Sequence, residues 1–190
     1  MNLTLSSPTL LSSVRPGSGA LRAVVAALSG SVLLTASAQV SVPIGPVPMT
    51  MQSLVVVLIG MAYGWRLGGA TLALYLVEGA MGLPVFANFG ATAALIGPTA
   101  GYLLGFVPAA ALAGFMAERG WSRGPVKAAV TGLVAHAVLF ACGLSWLALG
   151  LGPAHALAVG LVPFIPGTLV KVALGAALMP AAWSLAPKRG

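Results

Sequence analysis

Six apolar runs, at 21–40, 50–63, 67–80, 99–117, 126–149 and 163–185, occupy most of this 190-residue chain, and the gaps between them are short. A single soluble core cannot hide that much apolar surface when 59% of the residues are hydrophobic and only 6% are charged. Mean hydropathy is +1.04. The pattern predicts an all-α integral membrane protein of six transmembrane helices, since a helix satisfies its own backbone polar groups in lipid. The second and third runs are short for a perpendicular span, so they either continue into the flanking loops or cross a thin region.

Eight of the nine basic residues lie in alternate gaps or at the ends of the runs beside them. Arg15 and Arg22 precede or open the first run, Arg66 separates the second from the third, Arg119, Arg123 and Lys127 lie between the fourth and fifth, and Lys188 with Arg189 follow the sixth. The intervening gaps, 41–49, 81–98 and 150–162, contain no Lys or Arg. The positive-inside rule therefore places both termini in the cytoplasm. A net charge of +7 reports this topology rather than a nucleic-acid partner. Residues 1–20 read as a mobile cytoplasmic tail, 21–187 as one transmembrane domain and 188–190 as a cytoplasmic end. Ala36-Ser37-Ala38 after an apolar stretch also fits a leader cleaved after Ala38, a reading opposed by the long segment before it and neutral for the orientation of the other five helices. The single cysteine, Cys142, excludes an intramolecular disulfide and any multi-cysteine metal site.

The three gaps opposite the charges are apolar and full of turn formers. Val42-Pro43-Ile44-Gly45-Pro46-Val47-Pro48, the segment 82–90 and Val162-Pro163-Phe164-Ile165-Pro166-Gly167 resist helix formation, yet their side chains need something to cover. They suit a lid over an apolar cavity, or else interfacial anchoring by their phenylalanines. Within the runs, small residues recur every fourth position at Gly60, Gly64 and Gly68, at Gly97, Gly101 and Gly105, and at Ala110 and Gly114, a spacing that lets helices approach closely. Ala23 and Ala27 repeat it in the first run and could equally face a partner helix. The ninth basic residue, Lys171, lies inside the last run, where a charge is costly unless paired and so marks a functional site.

Several blocks together resemble the BioY family, the biotin-specific substrate-capture (S) component of energy-coupling factor (ECF) transporters. They are Pro46-Val47-Pro48-Met49-Thr50-Met51-Gln52, Tyr75-Leu76 with Gly79 and 82–87, Gly97-Pro98-Thr99-Ala100-Gly101-Tyr102 with 103–106, and Pro163-Phe164-Ile165-Pro166-Gly167 with Lys171. They span nearly the whole chain. The resemblance implies six helices, an outward-facing pocket roofed by loops, and biotin uptake across the bacterial cytoplasmic membrane. It also implies a transmembrane coupling (T) subunit and ABC-type ATPase subunits as partners. The family commonly has Asp where this chain has Thr168, so a buried negative charge is missing here.

Biotin offers an apolar bicycle, a cyclic urea and a carboxylate, and each needs a complement. Lys171 would meet the carboxylate, with Glu78, the acid nearest in depth, as a competing counter-ion. Asn88, Gln52, Thr168 and Tyr102 offer donors and acceptors for the urea, Asn88 foremost because an amide both gives and accepts. Phe86, Phe89, Trp146 and Phe164 would bury the bicycle. His136 has no acid-base or metal partner three or four residues away, which argues against a small intramembrane lipid-modifying enzyme. The absence of any Gly-Lys dipeptide argues that no ATP is hydrolysed by this chain, so energy comes from partners or a gradient; the resemblance implies that partner ATPase subunits use the ATP and that this chain binds no cofactor or metal. A capture component for another vitamin, of riboflavin or thiamine type, is the remaining alternative, and homo-oligomerisation is left open.

Overall fold

A computed structural model describes residues 9–14 and 19–186. Arg15, Lys188, Arg189 and the greater part of the expected terminal tails lie outside the described residues. Each apolar run becomes a helix: α2 Ala20–Gln39, α3 Gln52–Tyr63, α4 Trp65–Ala80, α5 Ala100–Met116, α6 Pro125–Leu151 and α8 Ile165–Leu185. Two further helices occur where the sequence reading had none, α1 at Leu10–Val14 and α7 at Pro153–Gly160. Pro153 and Pro125 open their helices, where a missing N–H removes no intrahelical bond. Four segments, Ala20–Gln39, Ala100–Trp121, Pro125–Leu151 and Pro153–Leu185, are long and apolar enough to cross a membrane. At 12 residues α3 is shorter than a span, and α4, at 16, carries both Arg66 and Glu78.

Helix α5 is the centre of the bundle. It packs against α3, α4 and α6, while α6 also meets α8, and α2 lies over α3 and α4. The small-residue stripes explain how closely these helices approach. A Cβ on Gly60 would collide with the backbone carbonyl of Ala110, so α3 and α5 touch backbone to backbone at a point only glycine permits. Gly64, at φ +85°, supplies the left-handed turn that separates α3 from α4 by one residue. Ala27 is buried inside the bundle whereas Ala23, one turn earlier, is exposed, so the two do not present a common outer face.

The basic connections gather at one end. Trp65 N–H, in the α3–α4 turn, donates to Glu118 Oε1 at 3.0 Å, just beyond α5. Trp183, near the end of α8, donates to Ser122 Oγ at 3.1 Å and lies under the Arg123 guanidinium. The three apolar gaps occupy the opposite end. The first forms a short antiparallel hairpin, β1 (Ser41–Val42) pairing with β2 (Met49–Thr50), with its proline-rich turn between them. The second winds through tight helical turns at Ala87–Phe89 and Thr92–Leu95. The third contains α7 and a turn at Val162–Phe164.

Candidate ligand-binding site

These loops enclose a cavity of about 240 Å³. Its roof is Val47 and Pro48 from the hairpin with Phe86, Ala87 and Asn88 from the second loop, and its walls come from the loop ends of α3, α5 and α8 and from the middle of α6. The volume suits a small metabolite.

Lys171 lies in the cavity wall on α8 and is 7% exposed. Its Nζ donates to Thr50 O at 2.6 Å and to Ser53 Oγ at 3.0 Å, so α8 is tied to the hairpin and to the first turn of α3. Both acceptors are neutral, and an ammonium has three N–H groups. The chain has only two acids, and neither lines the cavity. Glu78 faces α2 instead, where Ser31 Oγ donates a short hydrogen bond to Oε2, and Glu118 is held at the far end by Trp65 N–H. The pairing of Lys171 with Glu78, one of the two possibilities the sequence left open, does not occur: similar depth along two helices does not put side chains on facing surfaces. A buried cation with no protein counter-ion is expensive unless a ligand anion offsets it.

Thr168, three residues before Lys171, also lines the cavity, and its hydroxyl makes no hydrogen bond among the described residues. Gln52 lines it too, but much of its amide is engaged. Its Nε2 donates to Tyr75 OH at 2.6 Å, its Oε1 accepts from Thr50 Oγ1 at 3.2 Å, and Tyr75 OH passes the chain on to Val85 O at 2.6 Å. Tyr75 is fully buried and meets Phe86 edge to face at 5.2 Å between centroids. The roof is thereby fastened to α3 and α4 from beneath.

Asn88 lines the cavity in a left-handed conformation (φ 55°), followed by Phe89 in the same region (φ 56°). Two consecutive non-glycine residues there are strained and must be held. Gln39, the last residue of α2, holds them: its Nε2 donates to Phe86 O at 3.0 Å and its Oε1 accepts from Phe89 N at 3.2 Å. Ser41 Oγ donates to Asn88 Oδ1 at 3.3 Å, and among the described residues the Asn88 NH2 has no protein partner. The same turn directs Phe89 outward, 70% exposed and away from the cavity.

The apolar wall is built from Tyr102, Phe140 and Phe164, whose ring centroids are 6.3 to 6.5 Å apart. Tyr102 OH donates to Gly160 O at 2.8 Å, so this hydroxyl anchors α7 and the ring faces the cavity. Trp146 does not line the cavity. It covers Gly101 on α5 and donates from Nε1 to Gly97 O at 3.1 Å. Of the residues expected to meet ligand, Lys171, Asn88, Thr168, Gln52, Tyr102, Phe86 and Phe164 converge on one cavity, whereas Phe89, Trp146 and Glu78 lie elsewhere. Ser53, Thr50, Thr99, Phe140 and His136 also line the cavity, among others, and were not singled out as ligand contacts from sequence. Ser53 follows the Gln52 of the hairpin block directly, the one signal that could have indicated it.

A helical membrane bundle whose loops close over a small cavity, with a buried lysine inside that has no acidic partner among the described residues, is a solute-binding membrane protein. The chain belongs to the BioY family, whose model matches residues 7–188. A probable biotin transporter BioY of Pyrococcus horikoshii is 40% identical over 142 residues, 74% of this chain and 83% of that one. The biotin transporter BioY of Thermotoga maritima is 37% identical over 158 residues, 82% and 92% of the respective chains. A crystal structure of the S-component for biotin from an ECF-type ABC transporter superposes with a TM-score of 0.74. It covers 86% of this chain and 92% of its own, and at 20% identity the likeness establishes the fold.

Proposed function

We propose that this chain binds biotin in the loop-covered cavity and is the substrate-specific component of an ECF transporter that carries biotin into the cell. The observation that carries the reading is Lys171, a buried ammonium held among the described residues only by neutral acceptors in an otherwise largely apolar cavity, in a BioY-family chain whose relatives are named biotin transporters. The carboxylate of biotin supplies the missing counter-ion. The ring wall of Tyr102, Phe140 and Phe164 covers the bicycle, and the free amide of Asn88 reaches the cyclic urea from the roof.

Residues 21–187 form one six-helix transmembrane unit in the cytoplasmic membrane, with the basic end and both termini in the cytoplasm and the cavity facing out. The short α3 and α4 complete the crossing with the connections around them. The exposed flank of α2 around Ala23 meets the T subunit, and ATP is hydrolysed by partner ATPases. This chain performs no chemistry on its ligand and needs no cofactor.

Equilibrium binding of radiolabelled biotin to the purified protein in detergent tests the reading. Saturable binding that thiamine and riboflavin do not displace is the expected result. No saturable binding, or displacement by either vitamin, would overturn it.

A further inference from the structure

His136 lies near the middle of α6, on the cavity wall, and none of the contacts assigned so far uses it. Its Nδ1 is 2.8 Å from Gly132 O, one turn earlier. A carbonyl oxygen only accepts, so Nδ1 carries a proton, and in the neutral ring Nε2 is then a bare acceptor. That Nε2 is buried without a hydrogen-bond partner among the described residues, in a residue only 3% exposed. Buried polar atoms are nearly always satisfied, and an orphan on a ligand cavity indicates the group the ligand must bring, here a donor. Lys171 is already a cation on the same wall, and no acid lines the cavity. A second positive charge beside it would be repelled, so the neutral ring is the form the cavity accommodates.

Of the polar groups on biotin at neutral pH, only the two urea N–H groups are donors. We infer that His136 Nε2 accepts one of these N–H groups, fixing the head of the ligand against α6 while Lys171 holds the carboxylate. The inference rests on the biotin reading above. It assigns a specificity role as well: a bicycle without that N–H leaves Nε2 buried and unpaired, which selects against it.

Two measurements test it. The chain has only two histidines, His136 and His155, so a protein labelled with 15N-histidine gives a simple spectrum. Without ligand the Nδ1–H tautomer is expected at His136, and biotin should move its Nε2 resonance while leaving that of His155 in place. A doubly protonated ring, or an Nε2 signal indifferent to biotin, would overturn the inference, and this arm uses the unmodified protein.

The second arm is equilibrium binding of biotin and of its two mono-N-methyl ureas to the parent, His136→Leu and His136→Gln. The parent should bind one of the two methylated ligands about tenfold to a hundredfold more weakly than biotin. His136→Leu should lose a similar factor for biotin and no longer distinguish that methylated ligand, and His136→Gln, which keeps an acceptor, should recover part of both. Parent-like biotin binding by His136→Leu, or undiminished discrimination, overturns the inference while leaving the biotin reading intact. Failure of the parent to bind biotin would instead remove the reading beneath it.

Discussion

Replacing Lys171 by Met separates two effects that have opposite signs. In the unliganded protein the ammonium is 7% exposed, with Thr50 O and Ser53 Oγ as its only partners among the described residues. Methionine removes a buried charge that has no counter-ion but leaves two neutral acceptors without their donor. Each such acceptor costs about 1–3 kcal/mol when unpaired, and the relief of an uncompensated buried cation is several kcal/mol. These terms nearly cancel, so the melting temperature without ligand should stay within a few degrees of the parent or rise. Binding has no such cancellation, because truncating one member of a buried, hydrogen-bonded charge pair costs about 2–5 kcal/mol, roughly thirtyfold to several thousandfold in Kd. The assay is a thermodynamic cycle of parent and Lys171→Met against biotin and its uncharged methyl ester. The parent should prefer biotin strongly and the variant should bind both ligands alike. If the variant still preferred biotin over the ester by the parental factor, the carboxylate would not be Lys171's partner and the reasoning would be refuted.

Other positions extend the test. Thr168→Asp introduces an acid one helical turn from Lys171 on the cavity wall; this internal counter-ion should shrink the preference for biotin over its ester, measured by the same binding assay. Gln39→Ala releases both hydrogen bonds that hold the strained Asn88–Phe89 turn, so dissociation of labelled biotin in a chase experiment should quicken by about tenfold or more, with little change in association. Gly60→Ala would drive a Cβ into the Ala110 carbonyl; it should lower the detergent melting temperature by the equivalent of about 1–3 kcal/mol, although Ala favours a helix over Gly at an open site.

Much of the bundle was legible because apolar runs and charge placement are strong signals along one dimension. The run at 67–80 became α4 at Trp65–Ala80, and that at 126–149 became α6 at Pro125–Leu151. Helix α7 was missed because 150–162 reads as a short uncharged gap between two long runs, whereas Pro153 opens a helix whose buried Ala156 and Gly160 pack inward. The site was legible in depth but not in direction. Lys171 stood out because nothing else charged interrupts its run, yet Glu78, at similar depth, turns to Ser31 on α2. Which way a side chain faces depends on helix rotation, and weakly amphipathic helices that are apolar all round do not reveal it. For the same reason Trp146 looked like a pocket residue and covers Gly101 instead, and His136, with no acid-base partner on its own helix, gave no sign that it lines the cavity. Tyr102 did reach the cavity, but its hydroxyl anchors Gly160, a contact with a helix absent from the sequence reading.

The most direct measurement is a crystal or cryo-electron-microscopy structure of the protein saturated with biotin. The account predicts density for biotin beneath the Asn88 loop, its carboxylate about 3 Å from Lys171 Nζ, and its bicycle against Tyr102, Phe140 and Phe164. Biotin bound elsewhere, or in this cavity with its carboxylate away from Lys171, would contradict it.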